Sequence, residues 1–233
     1  MLTEPTMTKL HELRLAAMAK AWSEQQTDAK LMPLAFDERF AMLVDAEYLA
    51  RDNRRLKRLL KDAQLRISSA CIEDVEASAA RGLERSTLAQ FRSCAWVAEH
   101  LNVLISGPTG VGKSYLACAL GQLACRRGYR VVYRRLPRLL EELGLARAEV
   151  LVLDDLGIGT LKDAQRQDLL EVFEDRYGKT STVVTSQLPV AKWHEWIGDP
   201  TLADAILDRL VHGAYKLTLK GASRRKEKAQ QAD

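Results

Sequence analysis

The chain has 233 residues, 47% of them apolar, with 35 Lys and Arg against 31 Asp and Glu and a net charge of +4, which suits one domain of ordinary size plus an appendage. It contains no run of 18 apolar residues and no basic segment followed by an apolar one at its N-terminus, so neither a membrane span nor a secretion signal is expected. Four cysteines (Cys71, Cys94, Cys118, Cys125) without C-x-x-C spacing and four scattered histidines exclude a zinc framework and read as reduced thiols of a cytoplasmic protein.

Residues 1–66 read as a helical N-terminal domain. Leu10, Leu13, Ala17 and Ala21 recur at helical spacing and predict a helix over 4–28. After Pro33, Phe36, Phe40, Val44 and Tyr48 form one stripe, continued by Leu49, Leu56 and Leu60. This predicts a long helix over 36–66. Residues 67–93 read as a polar connector containing Gly82, leading to a short helix near 93–100. Strands and helices then alternate: strand 101–106, helix 113–127, strand 130–134, helix 137–146, strand 149–154, helix 163–177, strand 181–185, helices 190–197 and 201–211, and strand 215–219. That alternation predicts a three-layer α/β domain with a parallel sheet over 94–233. The tail 224–233 is short and charged.

The first strand runs into Gly107-Pro108-Thr109-Gly110-Val111-Gly112-Lys113-Ser114, which matches G-x-x-x-x-G-K-[ST]. Glycines at this turn let backbone amides approach phosphates, and the following helix, starting with Tyr115, adds its positive dipole end. In this pattern Lys113 reaches the β- and γ-phosphates of ATP and the Ser114 hydroxyl ligates Mg2+. The strand Val150–Asp155 is apolar and ends in two carboxylates. Asp154 is expected to hold Mg2+ and Asp155 to orient or deprotonate the attacking water. The strand 181–186 ends in Thr185 and Ser186, which fit either a γ-phosphate sensor or an ordinary strand end.

Charge is unevenly placed. Arg51–Arg66 holds seven Lys and Arg against two Asp, Arg126–Arg138 six Arg and no acid, and Lys216–Lys228 six Lys and Arg against one Glu. Each cluster alone fits a solvated helix face; three in a nucleotide-binding chain point to a polyanion. Arg54, Arg55 and Arg58 on the helical domain, and Arg134 and Arg135 after the second strand, are the candidate DNA contacts.

The resemblance to a known family rests on Asn102–Ser114, Arg135–Leu143, Leu153-Asp154-Asp155, Gln165–Glu171, Glu174–Gly178, Thr185–Pro189, Ile197–Leu210 and Leu219-Lys220-Gly221. These resemble the IstB-type ATP-binding helper proteins of bacterial insertion-sequence transposition, within the AAA+ class and near the DnaC-type helicase loaders. The resemblance extends into the N-terminal helices and covers nearly the whole chain. It implies an AAA+ fold with a five-stranded parallel sheet in order 5-1-4-3-2, assembly into rings or spirals, duplex DNA as ligand and the transposase of the same element as partner. It makes Arg209 an arginine finger acting on a neighbouring subunit, Thr185 and Ser186 the first sensor region, and Arg225 the second sensor arginine. The family carries a longer helical excursion where residues 143–149 bridge directly here, in a region that faces the central channel of related assemblies. A replicative helicase loader shares these parts and is the alternative reading. A P-loop small-molecule kinase shares the phosphate loop, but no lid insertion is visible.

Overall fold

The computed structural model describes residues 3–139 and 148–224. The chain forms two compact units, one ending at Arg58 and one starting at Leu59.

The first unit contains α1 (Thr3–Glu12), α2 (Ala16–Thr27) and most of α3 (Phe36–Ala63). The single helix expected over 4–28 is broken in two. Arg14 takes φ 59°, a left-handed conformation that ends α1. The residue before α2 is Leu15, whose side chain cannot cap. Glu47 of α3 supplies the acceptor instead, taking hydrogen bonds from the Ala17 and Met18 amides at 2.9 and 3.2 Å. The apolar stripe Phe36, Phe40, Val44 and Tyr48 lies on the helix as expected but is exposed. The covered face of α3 is turned by one residue and carries Arg39, Leu43, Ala46, Glu47 and Ala50.

Glu47 is only 4% exposed and also accepts from Arg51 Nε (2.9 Å) and Arg54 Nη2 (3.2 Å). Burial alone would raise its carboxyl, but the hydrogen bonds from Arg51, Met18 and Ala17 hold it below the usual glutamate range. A depressed folded value means the contribution to stability is full above the ordinary glutamate range and fades as pH falls through the folded value. Glu47→Gln is therefore expected to destabilise the first unit by about 1–2 kcal/mol at neutral pH. The gap from wild type should close in acid. Urea melts at pH 7 and at pH 3, with amide exchange of Ala17 and Met18, check both halves.

The second unit is built on five parallel strands: β1 (Val103–Ser106), β2 (Val131–Arg135), β3 (Val150–Leu156), β4 (Ser181–Ser186) and β5 (Tyr215–Thr218). Their order is β2-β3-β4-β1-β5, the expected 5-1-4-3-2 read from the other edge. β1 and β4 are buried along their whole length, as befits central strands covered on both faces. α4 (Arg85–Ser93) and α5 (Ala95–Ala98) precede β1, and between the strands run α6 (Lys113–Arg126), α7 (Leu136–Leu139), α8 (Asp163–Arg176), α9 (Trp193–Ile197) and α10 (Pro200–Val211). The polar connector expected over 67–93 contains α4 and a 3₁₀ turn at Ala79–Arg81. Helix 137–146 is described only as far as Leu139.

α10 starts firmly, because Asp199 accepts from the Leu202 amide at 2.8 Å and Pro200 takes the first helical position. Trp193 is fully buried among Leu156, Leu169, Phe173 and Ile206, and Trp196 packs against the same core. Cys94, Cys118 and Cys125 are buried thiols, and burial pushes Cys118 up to about 11 and Cys125 to about 12. Among the described residues no helix is long and apolar enough to cross a membrane.

Parallel register brings the strand ends together. Ser106 lies opposite Ser186, Ile105 opposite Thr185, and Arg135 opposite Asp154. The ladder between β3 and β4 shifts between Leu153 and Leu156, where the two carboxylates sit. The site is therefore at the carboxyl edge of the sheet, where open α/β folds bind ligands.

Candidate active site

The loop from Gly107 to Gly112 joins β1 to the N-terminus of α6. Gly107 has φ 143°, and a Cβ there would meet the Leu219 carbonyl oxygen at 2.3 Å. Gly110 has φ 88°, and a Cβ would meet Ser223 Oγ at 2.2 Å. Both positions need glycine, since the segment after β5 lies directly on the loop. The Arg224 amide donates to the Gly110 carbonyl at 3.0 Å, and the Gly107 amide to that of Ser186 at 3.2 Å. Lys113 is 7% exposed, and its Nζ donates to the Gly107 and Pro108 carbonyls at 2.7 and 2.8 Å. The ammonium is thereby held over the loop whose amides would cradle phosphates.

Asp154 is fully buried. Its Oδ1 accepts from Ser114 Oγ at 2.8 Å and Thr185 Oγ1 at 2.5 Å; its Oδ2 accepts from Tyr133 OH at 2.6 Å and Arg66 Nη1 at 3.3 Å. Burial alone would raise this carboxyl. Hydrogen bonds from Thr185, Tyr133 and Ser114, with the Arg66 charge, outweigh burial and hold it below the carboxylate range. Asp155 takes φ 64°, its amide donates to Thr185 Oγ1 at 3.0 Å, and its carboxylate lies 3.8 Å from Arg135 Nε and 4.0 Å from Arg66 Nη1. Thr185 thus touches both acids at once. Ser186 does not: its hydroxyl donates to the Leu156 carbonyl at 2.6 Å and accepts from the Leu188 amide.

A cavity of about 670 Å³ opens over the loop, a size suited to a nucleotide. Ile67, Val75, Leu83 and Leu219 give it an apolar part; Lys113, Arg66, Arg81, Arg135 and Arg224 give it a cationic part. The donors fit Mg2+. Ser114 and Asp154 already share a hydrogen bond at the loop, and both offer hard oxygens. Among the described residues no cluster of three or more His, Cys, Asp or Glu could hold a metal alone. One carboxylate and one hydroxyl, completed by phosphate oxygens and waters, is the mode of binding Mg2+ favours.

The family profile described as "IstB-like ATP binding protein" matches residues 8–232. The chain belongs to the IstB-like ATP-binding protein family. An insertion-sequence ATP-binding protein of Sinorhizobium fredii, y4pL, is 45% identical over 240 residues, covering 97% of this chain and 98% of the relative. The ATP-binding protein of insertion sequence IS1162 from Pseudomonas fluorescens is 46% identical over 203 residues, covering 81% and 88%. Among solved structures the fold is similar to DnaI, with TM-score 0.57, 22% identity and coverage of 72% and 93%. It is similar to the DnaC helicase loader with TM-score 0.52, 21% identity and coverage of 65% and 97%. The fold of this IstB-like chain is AAA+.

Within the IstB-like chain, the phosphate loop, Lys113, Ser114, Asp154, Asp155 and Thr185 come together in one place. Tyr115 lines the same cavity. Arg225 lies outside the described residues; Arg224 is the tail arginine brought to the cavity, 3.4 Å from Glu76. Arg209 does not line the cavity over the loop. It sits on α10, paired with Glu174 of α8 at 2.8 Å, beside a separate hollow of about 190 Å³. Arg135, read as a DNA contact, lies in the wall of the cavity over the loop, beside Asp155, while Arg134 bonds Gln64 at 3.0 Å. Side chains alternate along a strand, so adjacent residues of β2 could not share one face. The surrounding arginine cluster is also engaged within the chain, Arg126 with Glu73 at 2.8 Å and Arg130 with Glu149 at 3.5 Å. Arg54, Arg55 and Arg58 are exposed on α3, with Arg54 also tied to Glu47. Two contacts escaped the sequence reading, Tyr133 and Arg66. Burial of alternate residues in β2 marks Tyr133 as inward-facing; nothing local marks Arg66, which meets Asp154 across 88 positions.

Proposed function

We propose that the chain is an Mg2+-dependent ATPase of the bacterial cytoplasm that assembles on duplex target DNA and assists the transposase of its insertion sequence. The single observation that carries this reading is the meeting of Lys113, Ser114 and Asp155 in the wall of one cavity with the buried Asp154 and Thr185 bonded directly behind them. ATP would lie with its phosphates on the amides of the loop and on Lys113. Ser114 and Asp154 would hold Mg2+, which supplies charge neutralisation of the phosphates. Asp155 would orient the attacking water, and Thr185 would keep the two acids in register. Arg209, turned away from its own chain's cavity, would reach the γ-phosphate bound by a neighbouring copy and complete the site between subunits. The DnaC-like fold alone would equally suit a helicase loader. The insertion-sequence relatives at 45% and 46% identity favour the transposition role.

DNA contact is assigned to Arg55 and Arg58, with Arg54 and Arg134 contributing. Binding is expected to be sequence-tolerant, promoted by ATP and weakened by salt, with log K falling against log salt by about 0.9 per phosphate contact. Arg55→Glu/Arg58→Glu tests this without stripping Glu47 of Arg54. The double variant should lose affinity for all duplexes alike and show a shallower salt slope. An unchanged slope would remove this face from the interface; tight binding to a hexameric helicase rather than DNA would replace the transposition reading with the loader.

A further inference from the structure

Arg66 stands between the acid pair and the connector that follows α3. Its guanidinium is 3.3 Å from Asp154 and 4.0 Å from Asp155, and its side chain is 35% exposed, while Asp154 is fully buried. The segment around it is fastened to the ATPase unit on either side. Gln64, at φ 51°, accepts from Arg134, and Leu65 lies over Gly121 of α6. Ile67 lines the nucleotide cavity. The Asp154 carboxylate therefore has four donors, and three of them, Ser114, Thr185 and Tyr133, are hydroxyls. Of the four, Arg66 alone brings a positive charge, and it also lines the cavity.

We propose that Arg66 is a positioning residue that occupies the acid pair in place of Mg2+ and yields it when Mg2+ arrives with the nucleotide. The proposal rests on the nucleotide reading above and deepens it. Two cations cannot share one carboxylate without mutual repulsion, so Arg66 raises the Mg2+ concentration needed to fill the site. When Mg2+ is absent the same guanidinium lines a cavity that would hold four phosphate charges, and it favours the metal-free nucleotide. Removing it should thus move two affinities in opposite directions. A residue that merely braced the fold would weaken both. Yielding the carboxylate also frees the connector at residues 64–67 from its anchor on β3, which links Mg2+ arrival to the segment leading out of α3.

The test is equilibrium binding, not turnover. The full chain, as wild type, Arg66→Met and Arg66→Lys, is titrated with a fluorescent non-hydrolysable ATP analogue in EDTA, and with Mg2+ at fixed analogue. Arg66→Met keeps the aliphatic stem and should lower the Mg2+ midpoint roughly fivefold to tenfold, the scale of a part-exposed charge pair, while weakening analogue binding in EDTA. Arg66→Lys, with a cation of different reach, should fall between. A midpoint that stays or rises in Arg66→Met would overturn the proposal and leave the nucleotide reading intact; no analogue binding by wild type would overturn both. Should either variant fail to fold, wild type carries the test. Amide exchange across residues 64–67 should speed up when Mg2+ is added to the analogue-bound chain, and unchanged exchange there would overturn the proposal.

Discussion

Lys113→Ala should lose nucleotide binding while Asp155→Asn keeps it and loses turnover. The two residues line one cavity, and on the proposed reading they would meet different parts of the reaction. Lys113 is the loop's own cation, buried and held over the carbonyls of Gly107 and Pro108. Its removal takes away the charge-assisted contacts to the β- and γ-phosphates, and affinity should fall by at least about 10²-fold. Arg66, Arg81, Arg135 and Arg224 remain around the cavity, but none is part of the loop. Asp155 faces the acid end. Its backbone is left-handed at φ 64°, a conformation asparagine tolerates and alanine resists, so Asn is the substitution that isolates the carboxylate. Asp154 and Ser114 stay in place for Mg2+. Hydrolysis should drop by about 10² to 10⁴-fold, the usual worth of a positioned base. Binding is followed with a fluorescent ATP analogue and turnover by phosphate release. Equal loss of binding in both variants would end the division of roles.

The loop and its flanks were legible because the chemistry is local. Eight consecutive residues, an apolar strand before and a helix after are enough to place a phosphate cradle. The acid pair was legible for the same reason, and the parallel order of the sheet came with the family resemblance. What was missed lies in phase or in distance. On α3 the expected apolar stripe is one residue out of phase with the face that Glu47 and Ala46 bury. A helix period cannot weigh one buried carboxylate that caps another helix against four exposed apolar residues. Counting arginines in a cluster does not report their partners within the chain: Arg126 is paired with Glu73, Arg130 with Glu149, and Arg135 lies near Asp155. Of the two sensor candidates, period-2 alternation allows only one to face the acids, and it is Thr185. The contact of Arg66 with Asp154 depends on folding the connector back over the sheet, and no spacing rule reports it.

Arg209→Ala should leave each chain's affinity for ATP intact and reduce hydrolysis by up to about 10³-fold. The fold should survive, since the pair with Glu174 is solvated and screened and so contributes little to stability. Within one chain Arg209 lines the small hollow on α10, not the cavity over the loop, so on the proposed reading its effect on turnover would come from another copy. On that reading Glu174 would release it as the neighbour docks. Glu174→Gln should therefore keep turnover, with the arginine freer to engage.

The central claim is that ATP is hydrolysed between copies of this chain gathered on DNA. It is tested most directly by mixing Arg209→Ala with Lys113→Ala in the presence of duplex DNA, Mg2+ and ATP. Neither variant alone should turn over. In the mixture some interfaces pair an intact loop with an intact Arg209, and part of the wild-type phosphate release should return, rising to a maximum near equal proportions. Mixed assemblies that form on the duplex, as read by sedimentation, yet release no phosphate would contradict the shared site.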